Sequence, residues 1–272
     1  MSNKKIIKID TSEKNINKNI VLGLVYKPLS MLLSYLYIPV ALAYLGDEKY
    51  GVWATVLSVL SWISLFDIGI GNGLRNKLAE NLKNYDSLKT RKYVSSAYIM
   101  LTIIVMILMI VTVALFSLVN WKSFFKVEAN FSDNLTIVMN ISIICMCVSF
   151  VMEICKSVYL ALQKNHITNL MGLVQQALML FSVVVLKKYT NGNLVFVAIA
   201  YGISNLVVEL FFTLKLFKYN RDFIPKVKYF SREEAKDTTG LGIQFFIIQI
   251  AAMILYATDN IIITQICGPV QV

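Results

Sequence analysis

The sequence predicts an all-α integral membrane protein, a polytopic helical bundle of about seven transmembrane helices with its N-terminus in the cytoplasm. Composition is the first reason, because 57% of the 272 residues are hydrophobic and only 15% are charged, whereas soluble domains carry roughly 25% charged residues. The second reason is a series of apolar runs long enough to cross a bilayer, which takes about 20 residues. The third is the distribution of positive charge between those runs.

The predicted spans share a length near that of a bilayer and few charged residues. They are 19–45, 50–73, 93–118, 134–160, 168–187, 194–217 and 239–266. We therefore divide the chain into a cytoplasmic N-terminal segment and a first six-helix bundle, followed by a cytoplasmic linker and the first helix of a second, incomplete bundle. Their bounds are 1–18, 19–217, 218–238 and 239–272.

Positive charge alternates between the polar segments. If the N-terminus is cytoplasmic, the inside segments and their edges hold 19 of the 26 Lys and Arg residues, and the outside segments hold 5. Such an excess is the positive-inside signal of membrane loops. The net charge of +10 is therefore explained by the membrane, and no nucleic-acid partner is expected.

Two short patterns lie at cytoplasmic ends. Leucines at helical spacing between Leu74 and Leu88, interleaved with basic residues, predict an amphipathic helix on the inner leaflet. Ser231-Arg-Glu-Glu234 resembles a capping box that opens the seventh helix.

Charged residues inside apolar runs are the candidate functional residues, because each costs at least ~2.5–3.5 kcal/mol in a bilayer. Lys27 lies ~12 Å into the first helix by helical rise, and Pro28 follows it. We interpret Lys27 as a cation for an anionic head group. The alternatives are a lysine that snorkels to the surface or pairs with an acid. Tyr26 beside it could stack on a sugar, although aromatic packing is the simpler role.

The remaining intramembrane charges are acids and one further lysine. Glu153 and Lys156 are three residues apart, so they share a helix face and predict an intrahelical ion pair. Glu209 is either a proton or cation site or a partner for a lysine. Asp259, followed by Asn260, predicts a coupling-ion site, a lysine partner or a hydrogen bond between helices.

Asp67 belongs to a glycine-rich stretch, Asp67-Ile-Gly69-Ile-Gly71-Asn-Gly73, at the end of the second helix. Neither a preceding strand nor a following GK[ST] supports nucleotide binding, so close helix packing is the better interpretation. No cofactor and no metal are expected, since one histidine and unpaired cysteines give no zinc pattern.

Two segments carry a family resemblance. They are Tyr44-Leu-Gly-Asp-Glu-Lys-Tyr-Gly51-Val-Trp53 and Leu65-Phe-Asp67-Ile-Gly69-Ile-Gly-Asn-Gly73-Leu-Arg-Asn-Lys-Leu-Ala-Glu80. They resemble the N-terminal signature of the polysaccharide transporter family, which holds the O-antigen and capsule-unit flippases of the multidrug/oligosaccharidyl-lipid/polysaccharide exporter superfamily. The sequence around Thr258-Asp259-Asn260 and Gly268-Pro269 looks like the start of the second half of that family's proteins.

The resemblance implies a non-enzymatic flippase of the bacterial cytoplasmic membrane. It would move undecaprenyl-pyrophosphate-linked oligosaccharide units by alternating access between two bundles, coupled to a proton or sodium gradient. Its partners would be the lipid-linked oligosaccharide, the bilayer, a polysaccharide polymerase and a chain-length regulator. A buried cation such as Lys27 suits the pyrophosphate, which needs charge-assisted hydrogen bonds when it leaves water.

Other functions remain open from the sequence. A multidrug exporter of the same superfamily would show an acidic, aromatic cavity, and a truncated chain could be a non-transporting membrane partner. A membrane glycosyltransferase is disfavoured, because such enzymes carry a large outside loop with catalytic acids. The longest outside segment here, 119–133, is short.

Overall fold

The fold is built from α-helices. A computed structural model describes residues 13–63, 69–83, 86–128, 131–240, 250–251 and 259–271, and contains no strand within them. The α-helices are α1 (Glu13–Leu45), α2 (Asp47–Ile63), α3 (Ile70–Asn81), α4 (Ser87–Leu118), α5 (Trp121–Phe124), α6 (Leu135–Ala161), α7 (Asn165–Tyr189), α8 (Leu194–Tyr219), α9 (232–240) and α10 (Asp259–Cys267). Short 3₁₀ turns lie at Arg221–Phe223, Val227–Tyr229 and Pro269–Gln271.

Five helices in the described residues are long and apolar enough to cross a membrane: α1 from Asn19 onward, α4, α6, α7 and α8. They match the first, third, fourth, fifth and sixth predicted spans, so the chain is a multi-pass membrane protein. The second predicted span overlaps α2, which has 17 residues. Most of the seventh falls on residues 241–249 and 252–258, which lie outside the described residues.

Helix α6 lies at the centre of the bundle, where it packs against α3, α4 and α8, while α1 packs mainly on α7. Small residues permit this closeness. A β-carbon placed on Gly202 of α8 would lie 2.4 Å from Cys145 Sγ of α6, which is well inside van der Waals contact. One face of α1 remains exposed and apolar, at Leu24, Leu32 and Tyr35, as expected for a surface in a hydrocarbon solvent.

The predicted continuous helix over 50–73 is wrong at its end. Gly69 has a φ of 66° and stands just before α3, in the left-handed region that glycine adopts without strain. The chain therefore starts a new helix at Ile70. The packing role inferred for the glycines fits α3, because a β-carbon on Gly71 would lie 2.8 Å from Ser157 Oγ of α6.

The amphipathic helix predicted as far as Leu88 is wrong in extent. Helix α3 ends at Asn81, and its apolar face (Leu74, Leu78) is fully buried against protein. Leu88 belongs to the first turn of α4, where Asp86 Oδ1 accepts hydrogen bonds from the backbone N–H groups of Leu88 and Lys89, at 2.8 and 3.2 Å. Capped by Asp86, α4 begins at Ser87, six residues before the predicted start at 93.

The linker after α8 is held against the first turns of α4. An ion pair joins Arg91 Nη2 and Asp222 Oδ1 at 2.5 Å, and Arg91 also donates to Tyr229 Oη at 3.2 Å. Ser96 Oγ accepts from the backbone N–H of Ser231 at 2.9 Å and donates to its carbonyl at 3.1 Å. Helix α9 begins directly after Ser231, as the capping pattern predicts.

The opposite end of the bundle, which the charge pattern places outside, is joined by a buried ion pair. Lys49 Nζ lies 2.9 Å from Asp133 Oδ2 and donates to the Gly192 carbonyl at 2.6 Å. The same Asp133 oxygen accepts from the backbone N–H of Leu194 at 3.2 Å. These contacts bring the start of α2, the segment before α6 and the α7–α8 turn together.

Candidate functional site

A cavity of about 500 Å³ opens between α1, α2, α6, α7 and α8. Its wall is more polar than the surrounding bundle. Hydroxyl groups come from Ser30 and Ser34, amides from Gln175 and Asn205, and charges from α6 and α8. A polar cavity inside an apolar bundle is where membrane proteins bind ions and polar substrates, because such groups are costly elsewhere in the bilayer.

Three of the predicted residues meet in this cavity. Lys156 Nζ lies 2.5 Å from Glu153 Oε1 and 3.4 Å from Glu209 Oε1, and we call these residues the charge triad. Gln175 Nε2 also donates to Glu209 Oε1 at 3.4 Å. The ion pair predicted from the three-residue spacing is thus present, and the lysine partner proposed for Glu209 is Lys156.

Glu209 is the most buried member of the triad, with 1% of its surface exposed. Its Oε2 is buried and makes no hydrogen bond of ordinary geometry within the described residues, although Ser149 lies beside the carboxyl group. A fully ionised triad carries one net negative charge. A buried carboxylate oxygen without a donor is costly.

A second cavity, of about 140 Å³, lies on the other side of the triad. Glu153 and Lys156 line both cavities, and Asn72 and Ser157 add polar groups to the smaller one. The smaller cavity adjoins α3, at the end of the bundle that the charge pattern places in the cytoplasm. Glu153 and Lys156 therefore lie between the smaller cavity and the larger one.

Aromatic side chains form another part of the larger cavity's wall. Trp53 Nε1 donates to Tyr37 Oη at 3.0 Å, and its ring meets Tyr201 edge to face with centroids 5.7 Å apart. Trp53 is almost fully buried, so its hydrogen bond fixes Tyr37 at the cavity surface. These rings offer faces for sugars or organic cations.

Lys27 and Tyr26 line neither cavity. Lys27 is exposed on α1, which continues as a helix through Pro28. It precedes Ser30, which lines the cavity, by three residues and so lies about one turn nearer the N-terminus on a similar face. Asp67 lies outside the described residues, as does the side chain of Asp259, so their predicted roles stay predictions.

Sequence reasoning did not assign the aromatic residues Trp53 and Tyr201 to the site. Aromatic residues are common throughout apolar helices, so nothing in the sequence distinguished these two. Gln175 and Asn205 were visible as polar residues within apolar runs, which was the available signal for an inward-facing position.

The chain is similar in fold to solved transporter structures. A MOP-superfamily transporter from Pyrococcus furiosus, described as having a binding pocket of reverse polarity, matches with a TM-score of 0.69 and 16% identity over 93% of this chain and 57% of that one. A multidrug resistance MATE transporter matches in its outward-facing conformation with a TM-score of 0.68 and 15% identity, over 93% and 57% of the two chains. A multidrug resistance MATE transporter in its inward-facing conformation matches with a TM-score of 0.66 and 16% identity, over 91% of this chain and 58% of that one.

The chain spans a little over half the length of these structures. No curated protein matches its sequence. The family model described as "Polysaccharide biosynthesis protein" matches residues 16–272, which is nearly the whole chain. The chain therefore belongs to this polysaccharide biosynthesis family, and its helices adopt the fold seen in transporters of the MOP superfamily.

Proposed function

We propose that the chain is part of a flippase that moves undecaprenyl-pyrophosphate-linked oligosaccharide units across the bacterial cytoplasmic membrane, for O-antigen, capsule or exopolysaccharide synthesis. The observation that carries the proposal is the match of residues 16–272 to a polysaccharide biosynthesis family, in a chain whose apolar bundle contains a polar cavity. A polysaccharide polymerase and a chain-length regulator would be its partners.

The positions of the charged residues suggest one region for the coupling ion and another for the substrate. The cavity around the triad is net negative when ionised, so it would repel a pyrophosphate and attract a cation. We assign the coupling ion, a proton or Na⁺, to Glu209, with Glu153 and Lys156 as its charged neighbours. Lys27 and Tyr26, one turn nearer the predicted cytoplasmic end, are the proposed contacts for the pyrophosphate and the first sugar. Asp67 and Asp259 remain proposed members of the intramembrane charge network.

The second candidate is export of organic cations, as in a multidrug transporter. One observation favours it: the cavity combines carboxylates with aromatic rings, which is the lining expected for that substrate class. The two functions differ in the leaflet distribution of lipid-linked oligosaccharide and in drug sensitivity, so they can be separated in one strain.

The test is deletion of the gene in its native cell, with an assay of which leaflet holds the lipid-linked oligosaccharide. The flippase predicts accumulation in the cytoplasmic leaflet and loss of surface polysaccharide. Normal surface polysaccharide with raised drug sensitivity would replace this proposal with the multidrug exporter. Unchanged polysaccharide and unchanged drug sensitivity would contradict both.

Complementation tests the proposed residues. Glu209→Gln keeps the shape and the amide contact but removes the ionisable group, so we expect export to fall at least tenfold, about 1.4 kcal/mol. Lys27→Ala should lower export more than Glu153→Gln does. Lys215→Ala, on the exposed face of α8, is the matched lysine control. Equal export from all these variants at equal membrane levels would remove the site assignment.

A further inference from the structure

The linker is fastened to α4 at two neighbouring points. The backbone N–H of Lys226 donates to Ser95 Oγ at 3.0 Å, and Ser231 exchanges two hydrogen bonds with Ser96. Both α4 serines are fully buried. We call the chain between these attachments, residues 226–230, the linker turn. Its position along α4 is therefore fixed.

The sequence of α4 gives the depth of the linker turn in the membrane. Residues 97–118 of α4 form a run of 22 residues without a charge, which by helical rise spans about 33 Å. The hydrocarbon core of a bilayer has about this thickness. Ser95 and Ser96 therefore lie at the inner border of the core, on the side that the charge pattern places in the cytoplasm. The linker turn lies at the level of the lipid headgroups.

The linker turn also lies on an outward side of α4. Ser96, Ile103 and Ile110 are seven residues apart, so they share one face of the helix. Ile103 and Ile110 are 55% and 63% exposed, as expected for a face in contact with lipid. The larger cavity is lined from α1, α2, α6, α7 and α8, so the linker turn is separate from it and lies beneath the lipid-facing side of α4.

The linker turn presents apolar and cationic side chains together. Val227 is 81% exposed and Phe230 is 40% exposed, and Lys226 and Lys228 are exposed beside them. In water such apolar exposure is unfavourable. At a membrane interface the same apolar groups enter the headgroup region, while the lysine ammonium groups reach the lipid phosphates.

The charge around the linker turn is strongly one-sided. Residues 215–232 contain a single acid, Asp222, which is already paired with Arg91. The basic residues of this segment are all exposed and form no ion pair within the described residues: Lys215, Lys218, Arg221, Lys226, Lys228 and Arg232. Anionic phospholipids of the cytoplasmic leaflet carry the complementary charge.

We propose that the linker turn is a binding site for the headgroups of anionic phospholipids in the inner leaflet. Lys226 and Lys228 contact the lipid phosphates, and Val227 and Phe230 insert between the headgroups. The hydrogen bonds to Ser95 and Ser96 hold the turn in place before lipid binds, so little order has to be gained on binding. The site is independent of the transport function proposed above, because its ligand is a resident lipid of the membrane.

The cationic part of the site can be tested by thermal unfolding of the full chain in micelles of detergent and phosphatidylcholine. Added phosphatidylglycerol should raise the apparent Tm by about 4 °C at low salt. Lys226→Gln with Lys228→Gln should keep less than half of this rise. Lys187→Gln with Lys188→Gln is the matched control, because it removes two exposed lysines from the last turn of α7, at the opposite end of the bundle, and should keep the full rise.

Three results of this titration would overturn the proposal. They are no rise with phosphatidylglycerol, an equal loss of the rise in both double variants, and an equal rise when inorganic phosphate replaces the lipid at the same ionic strength. The second would indicate general charge attraction, and the third would indicate a site for soluble anions.

The apolar part of the site can be tested by fluorescence quenching in vesicles that contain phosphatidylglycerol, with the native cysteines replaced. An environment-sensitive dye on Val227→Cys should be quenched at least about twofold more strongly by lipids brominated near the headgroup than the same dye on Leu88→Cys. Leu88 is 54% exposed and lies seven residues before Ser95, about 10 Å farther from the core by helical rise. Equal quenching at the two positions would contradict insertion of the linker turn.

Discussion

Replacing Lys156 by methionine tests whether the charge triad stabilises the bundle. Methionine keeps the length of the side chain and removes its charge, so the buried Glu209 carboxyl loses its cationic partner. Breaking a buried ion pair by removing one partner costs ~3–5 kcal/mol. The Lys156 side chain is 25% exposed, so water can partly compensate, and we expect a loss of about 3 kcal/mol in the free energy of unfolding.

Two further variants separate this effect from general damage. Glu153→Gln should cost less than about 1 kcal/mol, because the Glu153 side chain is 45% exposed and exposed pairs contribute little. Adding Glu209→Gln to Lys156→Met removes the stranded charge. The double variant should therefore be more stable than the sum of the single losses by about 1–3 kcal/mol.

The measurement is equilibrium unfolding of the purified chain in mixed micelles, followed by tryptophan fluorescence at pH 7. Additive losses in the double variant would mean that Lys156 and Glu209 do not interact in the folded protein. Equal losses for Lys156→Met and Glu153→Gln would mean that removing Lys156 destabilises the bundle no more than removing its exposed partner Glu153. Either result would refute the triad as described.

Three other outcomes follow from the structure. Gly202→Ala should destabilise the bundle by about 1–3 kcal/mol through its clash with Cys145, and Cys145→Ala should restore part of that loss in a thermal-stability assay of detergent extracts. Asp133→Ala should cost about 2–4 kcal/mol, because it leaves the buried Leu194 N–H without its acceptor and removes the anionic partner of Lys49, and Asp133→Asn should cost less in the same assay. Burial opposes ionisation of Glu234, but hydrogen bonds from Ser231 and from its own backbone, with Lys92 nearby, leave its pKa below the ordinary 4.5. The stability that Glu234 contributes is therefore present above pH 4.5 and is lost as the pH falls through the lower pKa of the folded state. Glu234→Gln should flatten the acid limb of the pH–stability curve.

The long spans could be predicted from the sequence because a bilayer of fixed thickness demands apolar runs of matching length. Helix α6, for example, runs over Leu135–Ala161 where 134–160 was predicted. The ends near α3 could not be predicted in the same way. There the boundaries depend on the left-handed backbone of Gly69 and the side-chain cap of Asp86, and neither has a hydropathy signature.

The candidate site was predictable only where its geometry is local. Glu153 and Lys156 pair within one helix, so their spacing was enough. Glu209 joins them through the packing of α6 on α8, and that packing depends on the bare backbone of Gly202 facing Cys145. The depth of Lys27 along α1 was predictable from the sequence, but the face of α1 that looks into the cavity was not, because distance along a helix does not specify a face.

The attachment of the linker to α4 determines where this protein can be divided. Because Arg91 and Ser96 hold the segment from Asp222 to Ser231, that segment travels with the helices before it, and its polar contacts would be lost if it were expressed with the chain that follows. For reconstitution from two separately produced fragments, the break should therefore come beyond Ser231 rather than directly after α8. A first fragment cut that way keeps the polar contacts that its own helices make with the linker.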